Sequence, residues 1–219
     1  MSAEQLLHHL SYGSEVFAYL TTVFLFVRQK NRVSFLLLLL MSAIVIAETL
    51  GKFRGFFPFG ANIFLVQNIE MLVEVLIFLL VYYYSVSARA LKQWILLMML
   101  IYLLFSAYAS LFMQPLQTSF PTYAIVVGGI FLLITILIYF YEGLKQGLLY
   151  NFYRSYLFYI SIGLFIFYAN EIPVMTLLNY FLENNTAMNR VLFVIDLKLI
   201  VSIIFYSLYS FGILWTIKK

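Results

Sequence analysis

Seven runs of about twenty mostly apolar residues, separated by short polar breaks, dictate what this chain can become. They occupy residues 10–27, 33–50, 62–84, 91–113, 121–141, 156–172 and 191–217. A helix rises ~1.5 Å per residue, so each run can cross a hydrocarbon core of ~30 Å. Backbone groups inside that core have no water to bond, and a helix satisfies them internally. The reading is an all-α fold: residues 1–219 form a single polytopic membrane domain of seven transmembrane helices. Composition agrees. Hydrophobic residues make up 64% of the chain and charged ones 10%, against about 25% charged in a soluble domain. Spans and short connections use up the length, which leaves no room for a separate catalytic or DNA-binding domain.

The first run is the weakest, because Ser11, Ser14 and Glu15 interrupt it. It counts because residues 16–27 are apolar and Arg28, Lys30 and Arg32 stand behind them. No Lys or Arg precedes this run and no small-residue cleavage site follows it, so no cleavable signal is expected. Alternating spans put Arg28, Lys30, Arg32, Arg89, Lys92, Lys145, Arg154, Lys218 and Lys219 on one side and Lys52, Arg54 and Arg190 on the other. The positive-inside rule then places the N-terminus outside and the C-terminus inside. Tyr82-Tyr83-Tyr84, Tyr139-Phe140-Tyr141 and Phe152-Tyr153 mark an aromatic belt at the inner surface.

Several chemistries are excluded. There is no Cys, hence no disulfide and no thiolate ligand, and two His make a metal site unexpected. No catalytic residue and no cofactor is assigned. The net charge of +4 is spread over interfaces, so nucleic acid is not an expected partner, whereas the lipid bilayer is.

An ionisable group at mid-membrane costs ~2.5–3.5 kcal/mol on insertion scales. Glu15, Glu48, Glu70, Glu74, Glu171, Asp196 and Lys198 fall within or at the edge of spans. Five helices thus place carboxylates toward one layer of the membrane, in its outer half. Gln67, Glu70 and Glu74 share a face of the third helix at i, i+3, i+7, and Lys198, Ser202, Tyr206 and Tyr209 form a stripe on the seventh. Asp196 and Lys198, two apart, point to different sides. Pro173 predicts that the sixth helix kinks or stops near Asn170, with VMTLLNYFLENN running along the outer surface. The expected ligand-binding set is Gln67, Glu70, Glu74, Asn170, Glu171, Asp196 and Lys198.

Other polar groups read as structural. Glu48 with Lys52, and Glu142 with Lys145, are expected as interfacial pairs, and Glu15 is expected among headgroups. Lys198 with Glu70 or Glu171 has the makings of an ion pair that locks the bundle. His8 and His9 read as a surface feature. Ser106, Ala107, Ala109, Ser110 and Gly128-Gly129 read as close-packing positions. The Phe-rich segment 52–60 (KFRGFFPFG) reads as an interfacial anchor, or as a lid over an outward pocket. Asn184 to Thr186 fits a glycosylation sequon and carries no argument.

The stretches Ala47-Glu48-Thr49-Leu50, Asn68-Ile69-Glu70, Phe120-Pro121-Thr122-Tyr123-Ala124, Tyr139-Phe140-Tyr141-Glu142, Tyr168-Ala169-Asn170-Glu171-Ile172-Pro173 and Leu178-Asn179-Tyr180 resemble an uncharacterised family of small seven-helix inner-membrane proteins of Bacteroidetes-type bacteria. The resemblance implies a bacterial inner-membrane location and this span count. It implies no activity.

The expected function is a sensor or receptor-like module with an outward-facing polar pocket, acting through a membrane or cytoplasmic signalling partner. The alternative is a proton- or cation-coupled transporter or channel; a structural subunit of a membrane complex is a further one. A retinal protein is disfavoured because Lys198 is off-centre and Trp94 and Trp215 lie at the inner end, and an intramembrane hydrolase lacks an activating His. The charge asymmetry yields a first prediction. A C-terminal reporter that works only in the periplasm will be silent, and one that works in the cytoplasm will be active; the reverse pattern inverts the topology.

Overall fold

The computed structural model describes residues 3–52, 63–114, 122–145, 152–183 and 188–217. They form seven helices: α1 (Ala3–Gln29), α2 (Arg32–Lys52), α3 (Ile63–Ser85), α4 (Arg89–Phe112), α5 (Thr122–Lys145), α6 (Tyr156–Glu183) and α7 (Met188–Ile217). Each is long and apolar enough to cross a membrane, so the chain is a multi-pass membrane protein. The Phe-rich segment 53–60, the sequon at 184–186 and Lys218 and Lys219 lie outside the described residues.

Local chemistry sets the joints. Two residues, Lys30 and Asn31, separate α1 from α2, and Lys30 takes φ 47° to reverse the chain. Asn31 caps α2: the Ser34 N–H donates to Asn31 Oδ1 at 2.7 Å, and the Asn31 N–H donates to Ser34 Oγ at 3.2 Å. This reciprocal cap starts α2 at once and turns it back along α1.

The sixth helix corrects the sequence reading. It does not stop at Pro173 but continues to Glu183, so residues 174–181 of the segment expected along the surface belong to the span. Pro173 is exposed and its missing N–H leaves the Ala169 carbonyl without its helical donor. The adjoining turns are braced by side chains, with Asn170 Nδ2 donating to the Ile166 carbonyl and Thr176 Oγ1 to the Ile172 carbonyl, both at 2.8 Å. Beyond the proline, Val174, Met175 and Leu178 are buried, and this packing outweighs the local preference to break.

The helices close a ring. α1 packs on α2 and α7, α2 on α3, α3 on α5, α5 on α6, and α6 on α7. α4 lies outside it, against α3 and α5, with Leu104, Leu111 and Phe112 exposed where lipid belongs. Gly128 and Gly129 let α5 sit at the centre of these contacts. A Cβ at Gly128 would lie 2.9 Å from both the Tyr102 ring of α4 and Val75 of α3, and one at Gly129 would lie 2.8 Å from the Tyr168 ring of α6. Ser106 and Ala109 are buried as packing positions should be, whereas Ala107 is exposed. At one end of the bundle, cations lie over rings: Arg32 over Tyr84, Lys92 over Tyr83 and Lys145 over Tyr141, at 5.6, 5.5 and 5.9 Å.

Glu142 is a second correction. It is buried and makes no ion pair with Lys145. Its carboxylate accepts the N–H of Ser87 at 3.0 and 3.1 Å and that of Ala88 at 2.8 Å. Ala88 is the N-cap of α4 and has no capping side chain of its own. A carboxylate from α5 therefore supplies the cap, where unpaired N–H groups and the helix dipole both favour a negative charge. An exposed Lys partner offers much less. Glu142→Ala is expected to lower stability by about 1–3 kcal/mol, and Lys145→Ala by less than about 0.5 kcal/mol. Thermal unfolding in detergent measures both, and equal losses would restore the ion-pair reading.

Candidate functional site

A cavity of about 530 Å³ lies inside one half of the ring. Its lining comes from α1, α2, α3, α6 and α7, with Ile125 from the start of α5. All these stretches lie toward the same end of the bundle, the end that carries the start of α1. On α7 the lining runs from Ile195 to Tyr206, a depth of ~16 Å at the helical rise, about half of a hydrocarbon core.

Each wall follows from helical spacing. Gln67, Glu70 and Glu74 all line the cavity from α3, as their shared face implies. Lys198, Ser202 and Tyr206 line it from α7, four residues apart in each step. On α6, Glu171 stands among Phe167, Met175 and Leu178, the apolar members of the same stripe. Of the expected set, Gln67, Glu70, Glu74, Glu171 and Lys198 are brought together. Asn170 and Asp196 are not in the lining. Adjacent helical residues differ in direction by ~100°, so Asn170 turns away beside Glu171 and bonds back to its own helix. Asp196 projects to another side of α7 from Lys198, and its Oδ1 is buried without a hydrogen-bond partner among the described residues.

Two further carboxylates belong here. Glu15 is not among headgroups: it is 6% exposed and lines the cavity, with Ser11 Oγ donating to its Oε1 at 3.2 Å. Glu48 lines the cavity and is not in ion-pair contact with Lys52. Lys52 instead lies over the Tyr12 ring at 4.2 Å and 3.4 Å from His9 Nδ1, and Tyr12 is held to α2 by a 3.0 Å hydrogen bond with Thr49 Oγ1. The i, i+4 spacing of Ser11 and Glu15 was the available signal, since a paired polar stripe on an otherwise apolar helix faces inward.

Two polar contacts organise the interior. Lys198 Nζ lies 2.9 Å from Glu171 Oε1 and is the ion pair found among the described residues. Glu171 is buried, whereas Lys198 is half-exposed toward the cavity it lines. Tyr168 donates its hydroxyl to Glu74 Oε1 at 3.0 Å. That ring is the one packed over Gly129, so the small residue on α5 positions the donor for a carboxylate on α3.

Below Tyr206 the bundle is filled. Phe78, Tyr82, Phe205 and Tyr209 are completely or almost completely buried. Tyr209 meets Thr22 at 3.1 Å and Tyr82 meets Ser161 at 2.9 Å, so each hydroxyl is satisfied within the floor. Phe205 packs edgewise on Phe78 and Tyr209, with ring centres 6.4 and 6.0 Å apart. Among the described residues, no three acidic or histidine side chains are grouped so as to hold a metal ion.

Comparison of the chain with family models, curated proteins and solved structures finds no match.

The ion pair gives a double-mutant prediction. Lys198→Met leaves a buried carboxylate alone and lowers thermal stability, and adding Glu171→Gln restores part of the loss. The coupling is expected to be on the order of 1 kcal/mol, given how open Lys198 is. Strict additivity would show that the contact contributes nothing.

Proposed function

We propose that this chain is a receptor-like module of a bacterial inner membrane. The cavity faces outward with the N-terminus, binds a small ligand, and passes the signal to a partner protein. The observation that carries this reading is the one-sided cavity: a carboxylate-bearing chamber half a membrane deep over a hydrogen-bonded aromatic floor. A receptor needs polar groups on one side only, whereas a conducting path needs solvated groups across the whole core. The outward orientation is supported by the basic residues and cation–ring contacts at the opposite end. A partner is invoked because the described residues build spans and their joints, which hold the cavity but offer no output of their own.

A proton- or cation-coupled carrier is the second reading, favoured by carboxylates that descend from Glu48 at the mouth through Glu70 to Glu74. The floor weighs against it.

Access distinguishes the two, and the lack of native Cys provides a clean background. Ser202→Cys is expected to react with a membrane-impermeant thiol reagent from the N-terminal side alone, and Thr22→Cys, within the floor, from neither side. Labelling of Ser202→Cys from the C-terminal side, or proton flux in proteoliposomes that disappears in Glu70→Gln, would establish transport instead.

A further inference from the structure

We infer that the cavity selects an organic cation, an amine on an apolar body. This rests on the cavity being a ligand site. Its walls are unequal in charge. On the α6–α7 side, Glu171 and Lys198 neutralise each other. On the other side, α1, α2 and α3 contribute Glu15, Glu48, Glu70 and Glu74, and none of the four is in ion-pair contact with a cation of the described residues. Lys52, the other ammonium at the lining, is occupied by the Tyr12 ring and His9.

Unpartnered atoms point the same way. Glu15, only 6% exposed, has an Oε2 with no hydrogen-bond partner among the described residues. Gln67 Oε1, on the neighbouring α3 wall, is likewise buried and unpartnered. Both atoms are acceptors, and both residues line the cavity. A buried acceptor without a donor is unfavourable, and an ammonium brings N–H donors together with a compensating charge.

The remaining surface selects the rest of the molecule. Met71, Phe167, Met175, Leu178 and Leu199 give apolar walls between the carboxylates, and Tyr12 and Tyr206 add aromatic faces. A volume of about 530 Å³ suits a compact organic molecule. A hard metal ion needs six or more oxygens converging on one point, and these carboxylates are dispersed over separate helices with no such group. An anion would find the one cavity ammonium beside Lys52 already paired and four carboxylates opposite.

The test uses the full-length protein in detergent and three probes with one aromatic body: 2-phenylethylamine, 2-phenylethanol and phenylacetate. Spermidine serves as a second amine. The readouts are protection of Ser202→Cys from a thiol reagent and the thermal midpoint. The amines are expected to protect and to raise the midpoint, while the alcohol and the acid do neither. Glu70→Gln, and Glu48→Gln at the more exposed mouth, are expected to raise the amine concentration for half-protection by about tenfold, the loss of one charge-assisted contact. Equal protection by the alcohol or the acid would overturn the inference. So would no protection by either amine at millimolar concentration, or amine protection unchanged in both variants. Labelling without probe separates the two levels. If Ser202→Cys still reacts from the N-terminal side alone, only the ligand class has failed; if it is unreactive from that side, the one-sided cavity has failed with it.

Discussion

Hydrocarbon solvates no charge, and the arrangement of the helices follows from where charge has to go. α1, α2, α3, α6 and α7 each carry an acid in the half of the bundle that surrounds the cavity, and those five helices provide almost all of its lining. α4 carries no acidic residue at all, and it is the helix left outside the ring. Collecting the carboxylates around one chamber keeps them from lipid. The Lys198–Glu171 contact then compensates one of them inside the ring, with the ammonium still open to the cavity.

Close approach and polar chemistry are linked in the same elements. Gly129 removes a side chain from α5, the Tyr168 ring of α6 fills that space, and its hydroxyl reaches Glu74 on α3. Three helices are thereby tied at mid-bundle, beside the floor built from Phe78, Phe205 and Tyr209. The cavity keeps its shape because its lower boundary is a packed and hydrogen-bonded layer rather than loose apolar side chains.

Side chains also do the work of backbone. Glu142 caps a helix that is not its own, and Asn170 and Thr176 brace the turns on either side of Pro173. Glu142 gives the start of that helix an acceptor it would otherwise lack, and the other two add side-chain bonds to carbonyls of the turns around the proline. A site reading that sorts polar residues by type takes Asn170 for a ligand group and Glu142 for half of a surface pair. Their partners show that both serve helix integrity.

The number of the spans, the shared face of Gln67, Glu70 and Glu74, and the stripe of Lys198, Ser202 and Tyr206 were legible in the sequence, because hydropathy and helical period are properties of single segments. Which acids meet was not. Glu15 and Glu48 read locally as interfacial, and only the packing of α1 and α2 into the ring turned them inward beside α3. Asp196 and Asn170 lie at the same depth as their neighbours, yet helical direction carried them out of the lining. Pro173 predicted a kink or a stop from its own chemistry, and the stop was overridden by burial of Val174, Met175 and Leu178. The sequence by itself determined a seven-helix membrane protein with its carboxylates in one layer. The tertiary structure decided that they surround a closed-bottomed cavity, because rotation and adjacency of helices depend on contacts between segments far apart in the chain.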